Sequence, residues 1–546
     1  MNCLSRLAAA LGLLCLFVVP AAVAQHEHPA GDPQRLGKVE FATSCAPAVK
    51  EQFNRAVALL HSFWFERAAQ EFAAVAEKDP ACAMAHWGIA MTYYHPLWEP
   101  PGPADLQKAA AAVAKAKELG AKTDRERDYI GAIEVFYKDF DKQDHRTRAL
   151  AYEKAMEQLA ARHTEDREAA IFYALAMLAN APPTDKTYAR QKKAGAIVEQ
   201  LFAAQPEHPG LAHYIIHSYD SPPLAQRALA AARRYAKIAP DSPHALHMPS
   251  HIFTRLGLWE ESIHSNQDSA AAARKHGAIG DELHAMDYLA YAYLQRSQDR
   301  EAEKLMKQMP TVGGPGSSYF AGLYARAAIP ARFALERHHW EEAAKLTVPP
   351  STFPSGAQSW TEANLRFAKG LGAARSGNPA AAREEIERLA SLRQTLEENK
   401  ILLWAGQVEI HRQTVAAWLA WAEGKGDEAL KIMRAAADAE DASDKHPVTP
   451  SVVLPARELL ADMLMEAGRP GEAIREYETA LAAAPNRFNS LYGAGRAAQL
   501  LCEPPKAIEY YQKLTKLCEA ADTDRRDLVE ASAYLGRKYH RCNSGP

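Results

Sequence analysis

"RALAAARRYAKIAP" (227–240) repeats the pattern of "AGAIVEQLFAAQP" (194–206) and is repeated in turn by "ESIHSNQDSAAA" (261–272). Ala194, Ala228 and Ser262 stand 34 residues apart, and Pro206 and Pro240 keep the same spacing. Towards the C-terminus "EAIREYETALAAAP" (472–485) and "KAIEYYQKL" (506–514) align Ala473 with Ala507 and Tyr477 with Tyr511, again 34 apart. "RAAQEFAAVAEKDP" (67–80) fits through Ala68, Phe72 and Pro80, and an aromatic precedes the small residue by three positions at Phe65, Trp259 and Trp340. A fixed period of this length marks a stack of like units rather than a single closed core. A small residue lets two helices approach closely, an aromatic fills the space beside it, and a proline ends the helix.

Period, small–aromatic–small helix and closing proline together resemble the tetratricopeptide repeat (TPR) superfamily over most of residues 45–520. That implies an all-α fold, a solenoid of antiparallel helical hairpins. More narrowly, "SCAPAVKEQFNRAVALLHSFWFERAAQEF" (44–72), "DPACAMAHWGIAM" (79–91), "HYIIHSYD" (213–220) and "PHALHMPSHIFTRLG" (243–257) resemble a family of exported bacterial repeat proteins without a settled biochemical role. The expected organisation is a signal peptide over 1–24, a flexible segment over 25–44, and an N-terminal array over 45–310. Irregular helical pairs follow over 311–440, then C-terminal repeats with a polar cap over 441–546. The Gly-, Pro- and Ser-rich stretches "TVGGPGSSYF" (311–320) and "TVPPSTFPSG" (347–356) read as loops, and "DASDKHPVTPSVVLP" (441–455) as a break between arrays.

At the N-terminus Arg6 precedes an apolar run from Leu7 to Val19 and an Ala22-Val23-Ala24 site, the pattern of a secretory signal cleaved near Ala24/Gln25. The expectation is an exported protein, with a bacterial periplasm as its setting. No later run reaches the roughly 20 apolar residues that a membrane span needs. With 64 basic against 67 acidic residues and no basic patch, nucleic-acid binding is not expected. Five cysteines remain after cleavage, an odd number, and Cys45 with Cys82 is the candidate disulfide. No C-x-x-C, H-E-x-x-H, G-x-S-x-G, phosphate loop or dinucleotide fingerprint occurs. Ser218 and Ser250 lie beside histidines without an evident base and orienting partner, so they are weak nucleophile candidates.

The histidines carry the chemistry. His213 and His217 lie four apart, and His244, His247 and His251 follow at spacings of three and four, so each set occupies one helical stripe. In the superfamily the first helix of each hairpin lines the concave groove. That register puts His213, His217 and Asp220 on the groove in one repeat and His244, His247 and His251 in the next. First helices of adjacent repeats pack about 8–10 Å apart, so the two ladders are expected to converge. The following repeat adds His284, Asp287 and Tyr291 to the same wall.

Five imidazoles with carboxylates nearby suit a borderline divalent transition metal such as zinc, copper, iron or nickel. Asp220 or Asp287 would then be a further ligand or an acceptor orienting an imidazole. Two other readings stand beside this one: an imidazole pocket for an anionic ligand, and a structural hydrogen-bond network. A second candidate pocket comprises His61, His86 and His95 among Trp64, Trp87, Tyr93, Tyr94 and Trp98, although aromatics at such spacing commonly form core. His163, His208, His276, His338, His339 and His446 show no constellation. "QHEHP" (25–29) reads as a flexible tail. Pro249 leaves two helix starts open, at Pro243 behind an Asp241/Ser242 cap or near Met248. The functional expectation is a groove that binds a metal, for trafficking or catalysis. The alternative is a scaffold for a peptide or protein partner.

Overall fold

Helix follows helix from Pro47 to Leu535, with no strand among the described residues. The computed structural model describes residues 34–97, 100–313, 320–348 and 359–537. The expected signal peptide, residues 25–33 with "QHEHP", Trp98, Cys542 and most of both Gly/Pro/Ser-rich stretches lie outside the described residues.

The repeat residues occupy the contacts that their chemistry demands. Ala68, Ala194, Ala228, Ser262, Ala473 and Ala507 are fully buried where helices meet. The helices Phe65–Lys78, Ala189–Ala204, Ala225–Ile238 and Pro470–Ala483 each end two residues before Pro80, Pro206, Pro240 or Pro485. Two glycines show how close the hairpins come. A Cβ on Gly88 would collide with the Phe72 ring, and one on Gly493 with the Tyr477 ring. These are the aromatics of the repeat pattern, each pressed on the backbone of the next helix. The all-α TPR-type hairpin solenoid is therefore the architecture of this chain.

Two departures from expectation and one expected bond matter for the site. Residues 34–44 are not a loose tail, because Leu36, Val39 and Phe41 are buried and Phe41 stacks on Trp87 at 5.1 Å. The Cys45–Cys82 disulfide forms, with Cα atoms 4.8 Å apart, and joins this entry to the second hairpin. The solenoid also curls back on itself. The Trp259 indole N–H donates to the Asn486 carbonyl at 2.7 Å, Asp522 accepts from the Arg300 backbone N–H at 3.0 Å, and the Asp444 backbone N–H reaches the Pro183 carbonyl at 2.9 Å. The break at 441–455 is thus a strap crossing from the C-terminal repeats onto the N-terminal array.

One buried group yields a pH prediction. His411 is 3% exposed, stacked on Phe367 at 4.2 Å, and burial alone pushes its imidazole from 6.5 down to about 3. The unfolded chain therefore takes up this proton first. Stability from His411 is full above about pH 6.5 and falls as pH drops towards 3, by up to about 1.4 kcal/mol per unit. His411→Phe keeps the stack and should reduce the stability lost between pH 7 and pH 5 by about 2 kcal/mol. Urea unfolding of both proteins at the two pH values checks this. An unchanged pH dependence would refute it.

Candidate metal centre

Three helices supply the imidazoles. His213 and His217 lie on Pro209–Tyr219, where Pro209 opens the helix with a nitrogen that needs no partner. The next begins at Pro243 behind Ser242, whose Oγ accepts the Ala245 N–H at 3.4 Å. Pro249 divides it into Pro243–His247 and Pro249–Arg255, yet Met248 keeps helical angles (φ −54°, ψ −34°) and its N–H bonds to His244 at 2.9 Å. The chain is one kinked helix starting at Pro243, and all three of its histidines keep their register. His284 comes from Ile279–Gln295.

The imidazoles meet as two groups rather than one. His213 Nε2 lies 3.0 Å from His217 Nε2 and 3.1 Å from His244 Nε2. His247 Nε2 lies 3.0 Å from His251 Nε2, with the His284 ring 4.1 Å from that of His247. The donor atoms of each triad fall within 4.8 Å of one another. Ligand nitrogens on a tetrahedral ion at 2.0–2.1 Å would stand about 3.4 Å apart, so the contacts within the triads are a few tenths of an ångström from that spacing.

The outer hydrogen bonds say which ring nitrogen is bare. A carbonyl or carboxylate oxygen only accepts, so His213 Nδ1–H donates to the His61 carbonyl at 2.7 Å and His251 Nδ1–H to Asp220 at 3.0 Å. His247 Nδ1–H donates to Asn266 Oδ1 at 2.6 Å, while the Asn266 amide N–H₂ is committed to the Ser262 carbonyl. In each case the remaining nitrogen, Nε2, presents a lone pair to the cluster. His247 and His251 therefore aim two lone pairs at each other across 3.0 Å. A proton between them is disfavoured, since burial, followed by neighbouring imidazoles or cations, holds both rings below their ordinary value. The same burial, then adjacent histidines, keeps His213, His217, His244 and His284 well below it. Nδ1–H held by a carbonyl or carboxylate with Nε2 free is the arrangement of metal-ligating histidine.

Asp220 is an orienting acceptor, holding His251, the Arg255 guanidinium at 2.8 Å and Lys445 Nζ at 3.1 Å. The expected open groove is instead covered. Lys445, His446, Pro447 and Val448 of the strap lie over the wall, and His213, His247 and His251 are at most 3% exposed. A cavity of about 30 Å³ remains against His217, His244, His251 and His284. A larger one of about 220 Å³ lies on the other side of His217, beside Asp220, Ser221 and Lys445.

Other expected members are placed elsewhere. Asp287 faces Arg332 at 3.5 Å, and the Tyr291 hydroxyl accepts from Arg487 at 2.7 Å. Tyr288 takes the place beside the cluster instead, its hydroxyl 3.2 Å from both ring nitrogens of His251. Its offset of four from His284 was the available signal. His86 and His95 do not join His61, and His95 packs on Phe65 at 4.6 Å. His61 meets Glu168 at 2.9 Å, and Glu168 meets His208 at 2.9 Å. Those two rings point at carboxylate oxygens, which their own N–H groups satisfy, and Tyr214 occupies the other side of His61 at 3.0 Å. His61 is thus partnered on both ring nitrogens, whereas the buried His208 Nδ1 has no hydrogen-bond partner among the described residues. Ser218 donates to the Tyr214 carbonyl and Ser250 to Asn266, so neither hydroxyl is set against a base.

Fold and site together define a TPR-type helical solenoid with a buried polyhistidine centre. No family model matches the chain, and no curated protein does. Among solved structures it is similar to the human IFIT1 dimer with m7Gppp-AAAA, at 14% identity and a TM-score of 0.33, covering 83% of this chain and 88% of that one. It is also similar to the APC/C hetero-tetramer Cut9–Hcn1, at 11% identity and a TM-score of 0.32 over 90% and 96%. A third is Naa15/Naa10 bound to HypK-THB, at 12% identity and 0.22 over 89% and 72%. At these scores the likenesses carry no argument about ligands. Among the described residues no helix is long and apolar enough to cross a membrane.

Proposed function

We propose that this chain is an exported metal protein whose buried histidines hold a divalent transition metal of the zinc, copper or iron kind. The observation that carries the reading is the pair His247 and His251. Both have their Nδ1–H groups committed to oxygen, and both aim Nε2 into the same 3.0 Å gap. A hydrogen-bond network would put a proton in that gap, whereas a cation satisfies both lone pairs at once. Bound there with a coordination position open, such an ion supplies Lewis acidity and lowers the pKa of a water ligand. The Cys45–Cys82 disulfide supports the export half of the proposal, because such bonds persist in oxidising compartments.

The scaffold reading is less favoured along this wall, since the strap at 444–448 already occupies the place where a peptide would lie. Metal analysis of protein purified from its native compartment tests the proposal. Bound metal is expected, with its content falling in His217→Ala and in His251→Ala. Metal-free native protein, or a metal content untouched by both substitutions, would overturn it.

A further inference from the structure

Six imidazoles are more than one zinc-like ion takes as ligands. The six imidazoles fall into two sets of three, 213/217/244 and 247/251/284, with the donor atoms of each set within 4.8 Å of one another. Three histidines and one vacant position is a complete ligand set for a catalytic zinc-like ion, and this centre contains that set twice.

Each set also has its own outer support. The first is oriented from the His61 carbonyl, at the end of a helix about 150 residues earlier in the chain. The second is oriented by Asn266 and Asp220. The acceptors differ between the sets, although Asp220 directly follows the helix that carries His213 and His217.

The cavity of about 30 Å³ joins the two. His217 and His244 of one set and His251 and His284 of the other line it, and apart from the Asp281 carboxylate its remaining lining is apolar, including Phe63 and Met248. Its volume exceeds the roughly 10–15 Å³ that a cavity needs to hold one water. The open side of both sets thus faces one space that takes a ligand of one or two heavy atoms.

Resting on the metal reading above, we propose that the centre holds two metal ions, one per triad. They share the small cavity as the position of a common oxygen-donor ligand of water or dioxygen size. The larger cavity beyond His217 is the approach to it.

The test uses the full chain, stripped of metal and dialysed against Zn(II) and, separately, Cu(II). Two ions per chain are expected in the wild type, one in His213→Gln, one in His284→Gln, and none in the variant carrying both. One ion per chain, lost with either substitution, overturns the two-ion inference and leaves the metal reading standing. No ion in the wild type overturns both. An ion retained by the double variant overturns its assignment to the triads. A second measurement needs no substitution and so does not depend on variant folding. The doubly Cu(II)-loaded wild type should show a magnetically coupled pair by electron paramagnetic resonance. Two independent mononuclear signals would refute the shared cavity.

Discussion

Arg487→Met is expected to cost about 3–5 kcal/mol of stability, among the largest effects of any single change in this protein. The guanidinium is fully buried, with Nη2 at 2.9 Å from Glu336 and 2.8 Å from Glu458, Nε at 3.0 Å from Glu458, and Nη1 donating to the Tyr291 hydroxyl. Burial opposes its charge, but Glu336 and Glu458 more than offset that and hold it well above the ordinary arginine value. Removing the cation leaves two buried carboxylates with Ser490 and Asn489 to hydrogen-bond them. Because the partners lie at residues 291, 336 and 458, the loss loosens contacts across the curl of the solenoid. A urea midpoint shift at unchanged slope measures the effect. A loss below about 1 kcal/mol would show that the network adds nothing beyond packing. The triple replacement Arg487→Met, Glu336→Gln, Glu458→Gln should recover part of the loss, since no buried charge is then stranded.

Asp220→Ala should be nearly as costly and should also weaken the metal centre. Asp220 is the shared acceptor for His251, Arg255 and Lys445, and those two cations more than offset the burial that opposes its charge, holding its carboxyl well below the usual range. Alanine strands Arg255 and Lys445 as buried like charges, at about 3–5 kcal/mol. It also frees His251 to turn or change tautomer, a loss of roughly 10–100-fold in metal affinity. Asp220→Asn keeps an acceptor oxygen and should fall between the two. Since Lys445 anchors the strap, cleavage within 441–455 by limited proteolysis should rise in Asp220→Ala. Metal affinity and strap protection both at wild-type values in the alanine variant would exclude this role.

Much of this was legible in the residues. Ala228 and Ala473 allow close hairpins, Phe72 and Tyr477 fill them, and the prolines end helices two residues ahead. Each of these acts within one or two adjacent repeats, so period and residue type suffice to read them. The histidine ladders were legible for the same reason, because a spacing of three or four specifies one helical face whatever surrounds it. Pro249 kinks its helix without moving that face. Register was less reliable further along. Superfamily positions pointed to His284, Asp287 and Tyr291, of which His284 faces the cluster, while Tyr288 stands there in place of the other two.

What stayed hidden depends on contacts between distant parts of the chain. The Lys445 ammonium reaches Asp220 across 225 residues, and Glu168 joins His61 across 107. Whether a solenoid closes far enough to lay residues 444–448 over residues 213–251 follows from small rotations summed over many repeats. No single repeat contains that sum. The local pattern therefore specified the hairpins and the side of the helix that carries the imidazoles. Their division into two triads is set by how three neighbouring helices pack, and the strap that covers them arises from the accumulated curvature, which exists only once every repeat is stacked.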